Sequence, residues 1–133
     1  MEVRKVQNII QDNRGSIVEV TSSGDWKQLN ILTRKAGTLG GGHYHRLTSE
    51  FFYVLKGQVE VKTISLKKDE IHNHIFYRGD CFLISPWEQH YMKFHKETIL
   101  ITLYSITYDK HNPDTFVENN LPQLGQIFDK VVE

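Results

Sequence analysis

Three imidazoles and one carboxylate stand at spacings that let them converge. His43 and His45 flank Tyr44, and Glu50 follows four residues after His45. On a β-strand alternate side chains share a face, so both histidines can point one way while Tyr44 points the other. A short turn over 46–49 would bring Glu50 onto the adjacent strand, beside the two rings. A second segment, Gly79-Asp-Cys-Phe-Leu-Ile-Ser85-Pro86-Trp87-Glu-Gln-His90, reads as a strand, a tight turn, and a histidine opening the next strand. His90 can then supply a fourth group from across the barrel. Three imidazoles and a carboxylate suit zinc, iron, manganese, cobalt or nickel, and affinity order alone does not choose among them.

Other reactive residue types read as structural. His72 and His74 also share a strand face, but no spaced carboxylate accompanies them and a polar hairpin tip adjoins, so a solvent-facing pair is expected. His95, His111 and Trp26 have no companions that give them a role. The single cysteine, Cys81, lies in the apolar run Cys81-Phe82-Leu83-Ile84 and reads as a buried thiol.

The elements that must position these groups are strands. Alternating or apolar runs occur at 16–21, 29–33, 50–55, 58–65, 72–77, 81–84, 91–94 and 99–107, separated by turn residues such as Lys56-Gly57, Arg78-Gly79-Asp80 and Ser85-Pro86. Lys67-Lys68-Asp69-Glu70 closes a hairpin. Short strands at this spacing predict an all-β antiparallel sandwich or barrel. Only the tail is helical in pattern, with Leu121, Leu124, Ile127, Phe128, Val131 and Val132 recurring at three and four. The expected organisation is one domain over 1–133, with the barrel over about 12–118 and the helix over about 121–132.

Composition removes several classes of function. Hydrophobic residues make up 39% and charged residues 24%, a globular mixture. Sixteen basic side chains balance sixteen acidic ones, and no run of Lys or Arg exceeds two, so no nucleic-acid partner is expected. No apolar run approaches the roughly 18–20 residues that span a bilayer, and the first residues lack the apolar stretch of a signal peptide. A cytoplasmic protein with no membrane partner is the expectation.

The segment from Gly37 to Gly57 resembles the first motif of the cupin superfamily: Gly, five residues, His-x-His, four residues, Glu, six residues, Gly. The second motif is met in spacing from Gly79 to His90, with Ser85, Trp87 and Phe94 where Pro, Gly and Asn are usual. The resemblance implies a double-stranded β-helix, or jelly roll, with a short C-terminal helix. It also implies a divalent metal ion, zinc by preference, held by His43, His45, Glu50 and His90. Cysteine is not a ligand in this motif, which leaves positions open for water or substrate.

With Asp12-Asn13-Arg14-Gly15-Ser16 at the start and Pro113-Asp114-Thr115-Phe116 at the end, the chain resembles one group of cupins. These are the C-terminal cupin domains of capsular-polysaccharide enzymes that epimerise and reduce UDP-4-keto-6-deoxy sugars. More distantly it resembles dTDP-sugar epimerases and 3,4-ketoisomerases. The implied activity is epimerisation or isomerisation of a nucleotide-activated 4-keto-6-deoxy sugar in surface-polysaccharide synthesis, through a metal-stabilised enolate, with reduction either left to a separate reductase or not part of the reaction. Lys35, where the similar enzymes also carry a lysine, and Tyr104, on the last long strand, are the candidate acid–base residues. Gly40 stands where sugar-modifying relatives usually carry an arginine, and Arg34 and Arg46 lie nearby to take its place. A non-catalytic sugar-binding cupin and a small iron-dependent oxygenase remain alternatives. A barrel of this size presents an edge strand, so a homodimer is expected.

Overall fold

The computed structural model describes residues 1–128. Its first strand, β1 (Glu2–Arg4), precedes a hairpin of β2 (Asn8–Asp12) and β3 (Gly15–Glu19). Then follow β4 (Gln28–Arg34), β5 (Leu39–His43), β6 (Glu50–Lys56), β7 (Gln58–Ser65), β8 (Ile71–Tyr77), β9 (Cys81–Ile84), β10 (Glu88–Phe94) and β11 (Thr98–Tyr104). A short helix, α1 (Leu124–Ile127), closes the described chain.

Two antiparallel sheets face one another as a jelly roll. One has the order β1-β9-β6-β11-β4 and the other β5-β10-β7-β8, while β2 and β3 pair only with each other. Each sheet turns one set of alternate side chains inward, where Phe52, Val54, Val61, Phe82, Met92 and Leu100 contribute to one core cluster. That core fills one end of the sandwich. The other end opens as a cavity of about 870 Å³ between the sheets.

Several expectations change at their edges. The large sheet begins earlier than residue 12, because β1 pairs with β9 through Glu2 and Leu83, Val3 and Phe82, Arg4 and Cys81. Three residues are too few to show a pattern. The run at 16–21 becomes β3, and it lies in the two-stranded ribbon instead of the main sheets. The strand expected at 91 starts at Glu88, because buried Glu88, Gln89 and His90 hide its beginning behind polar letters. The last strand stops at Tyr104, short of 107. The expected tail helix is present over Leu124–Ile127 and packs Leu124 against Gly42, while 129–132 lie outside the described residues. The remaining expectations stand closer, with β7 and β9 at the predicted bounds and Cys81 fully buried.

Candidate metal centre

His43 ends β5, and His90 is its direct partner across the β5–β10 pairing, just before a register shift between His90 and Tyr91. The neighbouring Gly41 makes this approach possible. Its φ is +82°, and a Cβ there would lie 2.5 Å from the His90 carbonyl oxygen. Only glycine meets both conditions. Strand β5 stops at His43. Tyr44 continues as a single bridge to Phe116, and this extension keeps His45 on the same side as His43.

Glu50 opens β6 opposite Tyr104 of β11. The loop that delivers it is held by Asp114. One Asp114 oxygen accepts the Arg46 N–H at 3.0 Å, and the other accepts the Leu47 and Thr48 N–H groups and the Thr48 hydroxyl, each at 2.9 Å. The Asp114 carbonyl accepts from His45 Nδ1 at 2.6 Å. This fixes the tautomer and turns Nε2 toward Glu50. In the same way His90 Nδ1 donates to the Glu88 carbonyl at 3.0 Å, leaving its Nε2 for the site.

The outcome is a compact donor set. One ligand atom from each of His43, His45, Glu50 and His90 lies within 4.8 Å of all the others. The ring centroids are 4.6 Å apart for His43 and His90, 5.0 Å for His43 and His45, and 5.2 Å for His45 and His90. Among the described residues no second cluster of this kind occurs.

Electrostatics favour a cation here. Burial, reinforced by the neighbouring histidines, pushes His43 down to about 4, and burial pushes His90 down to about 4 as well. Both rings are therefore neutral and carry a free lone pair at neutral pH. Burial alone would raise the Glu50 carboxyl, but contact with His45 and the nearby imidazoles hold it below the ordinary carboxylate value. Burial alone would lower His45, yet Glu50 and Asp114 together raise it. His45 Nε2 is fully buried, lies against Glu50 Oε1, and has no hydrogen bond of its own. A buried nitrogen in that position is costly unless something takes its lone pair or proton. A divalent ion would do so, and the three-imidazole, one-carboxylate set fits one.

Two of the three positions that depart from the second motif are accounted for locally. Trp87 adopts φ +65°, the left-handed region that glycine occupies most easily, at a typical cost of about 1–3 kcal/mol. Its N–H donates to the His45 carbonyl at 2.7 Å, its carbonyl accepts from Leu66 at 2.9 Å, and its ring stacks on Tyr44 at 5.5 Å. The strained turn is thus tied to the residue it neighbours. Phe94, at the asparagine position, is buried in the core, with its ring 3.4 Å from where a Gly40 Cβ would stand.

The cavity wall sorts the remaining candidates. Tyr104 lines it, as do Arg34 and Arg46, with the Arg46 guanidinium 3.9 Å from the Phe116 ring centroid. Burial, and then the Glu50 charge, push the Tyr104 phenol up. Lys35 sits exposed in the turn after β4 and is not part of the wall. His72 and His74 are both exposed on β8, with His72 3.3 Å from Glu70. Asp114 is the residue that sequence reasoning passed over. Its place in the Pro113-Asp114-Thr115-Phe116 run was the available signal.

A jelly roll with two histidines and a glutamate from one motif, and a third histidine from the neighbouring strand β10 of the same sheet as β5, not from across the barrel as expected, is a cupin. Within that class, the family model described as the polysaccharide biosynthesis C-terminal domain matches residues 10–116, and the chain belongs to that family. A curated relative, the UDP-2-acetamido-2,6-beta-L-arabino-hexul-4-ose reductase of Pseudomonas aeruginosa, is 26% identical over 110 residues, covering 79% of this chain and 29% of the relative.

Among solved structures, the capsular polysaccharide assembling protein CapF of Staphylococcus aureus superposes with a TM-score of 0.63 at 23% identity, over 83% of this chain and 33% of that one. The WlaRB TDP-quinovose 3,4-ketoisomerase of Campylobacter jejuni gives a TM-score of 0.76 at 17% identity, over 90% and 93%. The chain therefore spans about a third of the length of the first two and nearly all of the third. Among the described residues no helix is long and apolar enough to cross a membrane.

Proposed function

We propose that the chain is an epimerase or isomerase of a nucleotide-activated 4-keto-6-deoxy sugar in surface-polysaccharide synthesis. It exchanges the proton on the carbon beside the ketone. The observation that carries this reading is the placing of the four-donor cluster on the floor of a cavity whose wall holds Tyr104 directly opposite Glu50. Family membership and the nucleotide-sugar names of the relatives support it.

A divalent ion, zinc in this proposal, would be held by His43, His45, Glu50 and His90 and would supply a Lewis acid for a ketone oxygen. The chain's own groups do the rest. With its phenol held above the ordinary value, Tyr104 stays protonated at neutral pH and is placed to return a proton to substrate. Arg34 and Arg46 bring permanent positive charge to the same wall, and Arg46 is steadied over Phe116. They take the diphosphate contact that an arginine at position 40 would otherwise make. Lys35, outside the wall, has no part in this proposal.

The test is incubation with a UDP- or TDP-linked 4-keto-6-deoxyhexose in deuterated water, followed by mass spectrometry. Deuterium should enter at C3 when a divalent ion is present. His43→Ala should abolish uptake, and Tyr104→Phe should slow it by about 10²–10⁴-fold without changing bound metal. Metal-loaded protein that incorporates no deuterium at C3 from either nucleotide sugar would sink the proposal.

A further inference from the structure

Gly40 and Phe94, two positions at which the chain departs from the sequences it resembles, meet inside the cavity. A Cβ at Gly40 would lie 3.4 Å from the Phe94 ring. Gly40 also pairs directly with Met92 across β5 and β10, so the two positions share a sheet face. Gly41 and Gly42 each have φ +82°, but Gly40 lies outside the left-handed region. Its backbone therefore does not require glycine. What the missing side chain provides is space in the cavity wall, bordered by Met92 and Phe94.

That space is apolar. Leu32 and Phe52 face it from the other sheet, and Phe52, Met92 and Phe94 are all buried members of the core cluster. Apart from His43 and His90, the described side chains of β5 and β10 that line the cavity carry no hydroxyl, amide or charge. The polar pair on the other sheet is turned on itself: Asn30 Nδ2 donates to Thr102 Oγ1 at 3.3 Å, and Asn30 Oδ1 accepts from Gln28 Nε2 at 2.9 Å. A hydroxyl set against this patch would give up water and gain no partner, whereas a methyl group would gain burial. Met92 follows His90 by two residues, and Phe52 follows Glu50 by two, so the patch begins one step of about 7 Å from the donor cluster.

We propose that this patch is the specificity pocket for the group on C5 of the sugar, and that it selects a methyl over a hydroxymethyl group. With the ketone oxygen at the donor cluster and C3 toward Tyr104, as in the reaction proposed above, on which this assignment rests, C5 lies on the other side of the ketone carbon, toward β5 and β10. Its C6 substituent then reaches the space at Gly40. Gly40 gives the room, and Met92 and Phe94 give the contact surface. Any larger residue at position 40 would occupy that room. The preference for the 6-deoxy sugar should be about 10–100-fold, the range that an apolar pocket achieves against an added hydroxyl.

Isothermal titration calorimetry of the metal-loaded chain tests this with two pairs of ligands, UDP-4-keto-6-deoxyglucose against UDP-4-ketoglucose and the same two sugars linked to TDP. Wild type should bind the 6-deoxy member of at least one pair about 10–100-fold more tightly. Gly40→Ser puts a hydroxyl in the pocket and Met92→Gln an amide, and each should bring the two affinities together by tightening the 6-hydroxy sugar, with bound metal unchanged. Leu39→Ser, one residue away on the opposite face of β5, should keep the wild-type ratio. Should either polar variant fail to fold, Gly40→Ala should weaken the 6-deoxy sugar without helping the 6-hydroxy one. Equal affinity within both pairs, no binding of any of the four ligands, or a wild-type ratio in both Gly40 variants would overturn the proposal. Deuterium entry at C3 decides the reaction separately. Uptake without discrimination at C6 removes the pocket alone, and discrimination without uptake upholds the pocket and removes the reaction.

Discussion

The histidines and glutamate at the cavity floor meet because other residues hold them there, and Asp114 does most of this holding. Its carboxylate gathers three consecutive backbone N–H groups and one hydroxyl from the loop between His45 and Glu50, and its carbonyl orients the His45 ring. Removing the carboxylate in Asp114→Ala should leave those donors to water and loosen the spacing of the two ligands. We expect metal affinity to fall about 10–100-fold, as for other groups that orient metal ligands. A chelator-competition titration measures it, and an unchanged affinity would refute the role. At this scale the sequence was informative where side chains repeat at strand spacing, as His43 and His45 do, and where a short turn leads directly to a carboxylate, as at Glu50. Its only trace of Asp114 was the Pro113-Asp114-Thr115-Phe116 run, which gives no role, because that residue works through backbone N–H groups 66–68 positions away that leave no pattern in side-chain types.

At the scale of elements, the close approach of β5 to β10 is the contact on which the site depends. Gly41→Ala would place a methyl 2.5 Å from the His90 carbonyl oxygen and force a non-glycine residue to φ +82°. We expect a loss of about 1–3 kcal/mol in chemical denaturation. Metal binding should weaken too, since His90 must shift. A variant as stable as wild type would show that the strands can separate without cost. Legibility varied among elements for physical reasons. Strand β7 alternates in hydrophobicity and strands β6 and β11 carry continuous apolar runs, so all three could be read directly. Strand β5 is Leu-Gly-Gly-Gly-His and has almost no side chains to form a pattern. Strand β10 begins with polar residues that the fold buries, and β1 and β2 pair through runs too short or too mixed to stand out.

For the whole molecule, the buried donors tie stability to pH. His43 and His90 sit at about 4 in the folded protein and near the usual imidazole value of about 6.5 when unfolded. Between those values the unfolded chain takes up protons that the folded chain refuses, so stability is full above about 6.5 and is lost as pH falls toward 4. His45, shifted upward, acts in the opposite sense: its contribution is present below the unfolded value and lost as pH rises through the folded one. Two rings oppose one, so metal-free protein should melt at a lower temperature at pH 5 than at pH 7.5 in differential scanning calorimetry. A melting temperature that stays level or rises on acidification would contradict the assignment. The central claim is that these four side chains form one divalent-metal site, and elemental analysis of protein purified without added metal tests it most directly. The account predicts about one divalent ion per chain, lost in both His43→Ala and Glu50→Gln. Wild-type protein that holds no ion, even after incubation with zinc, manganese, iron, cobalt or nickel, would contradict it.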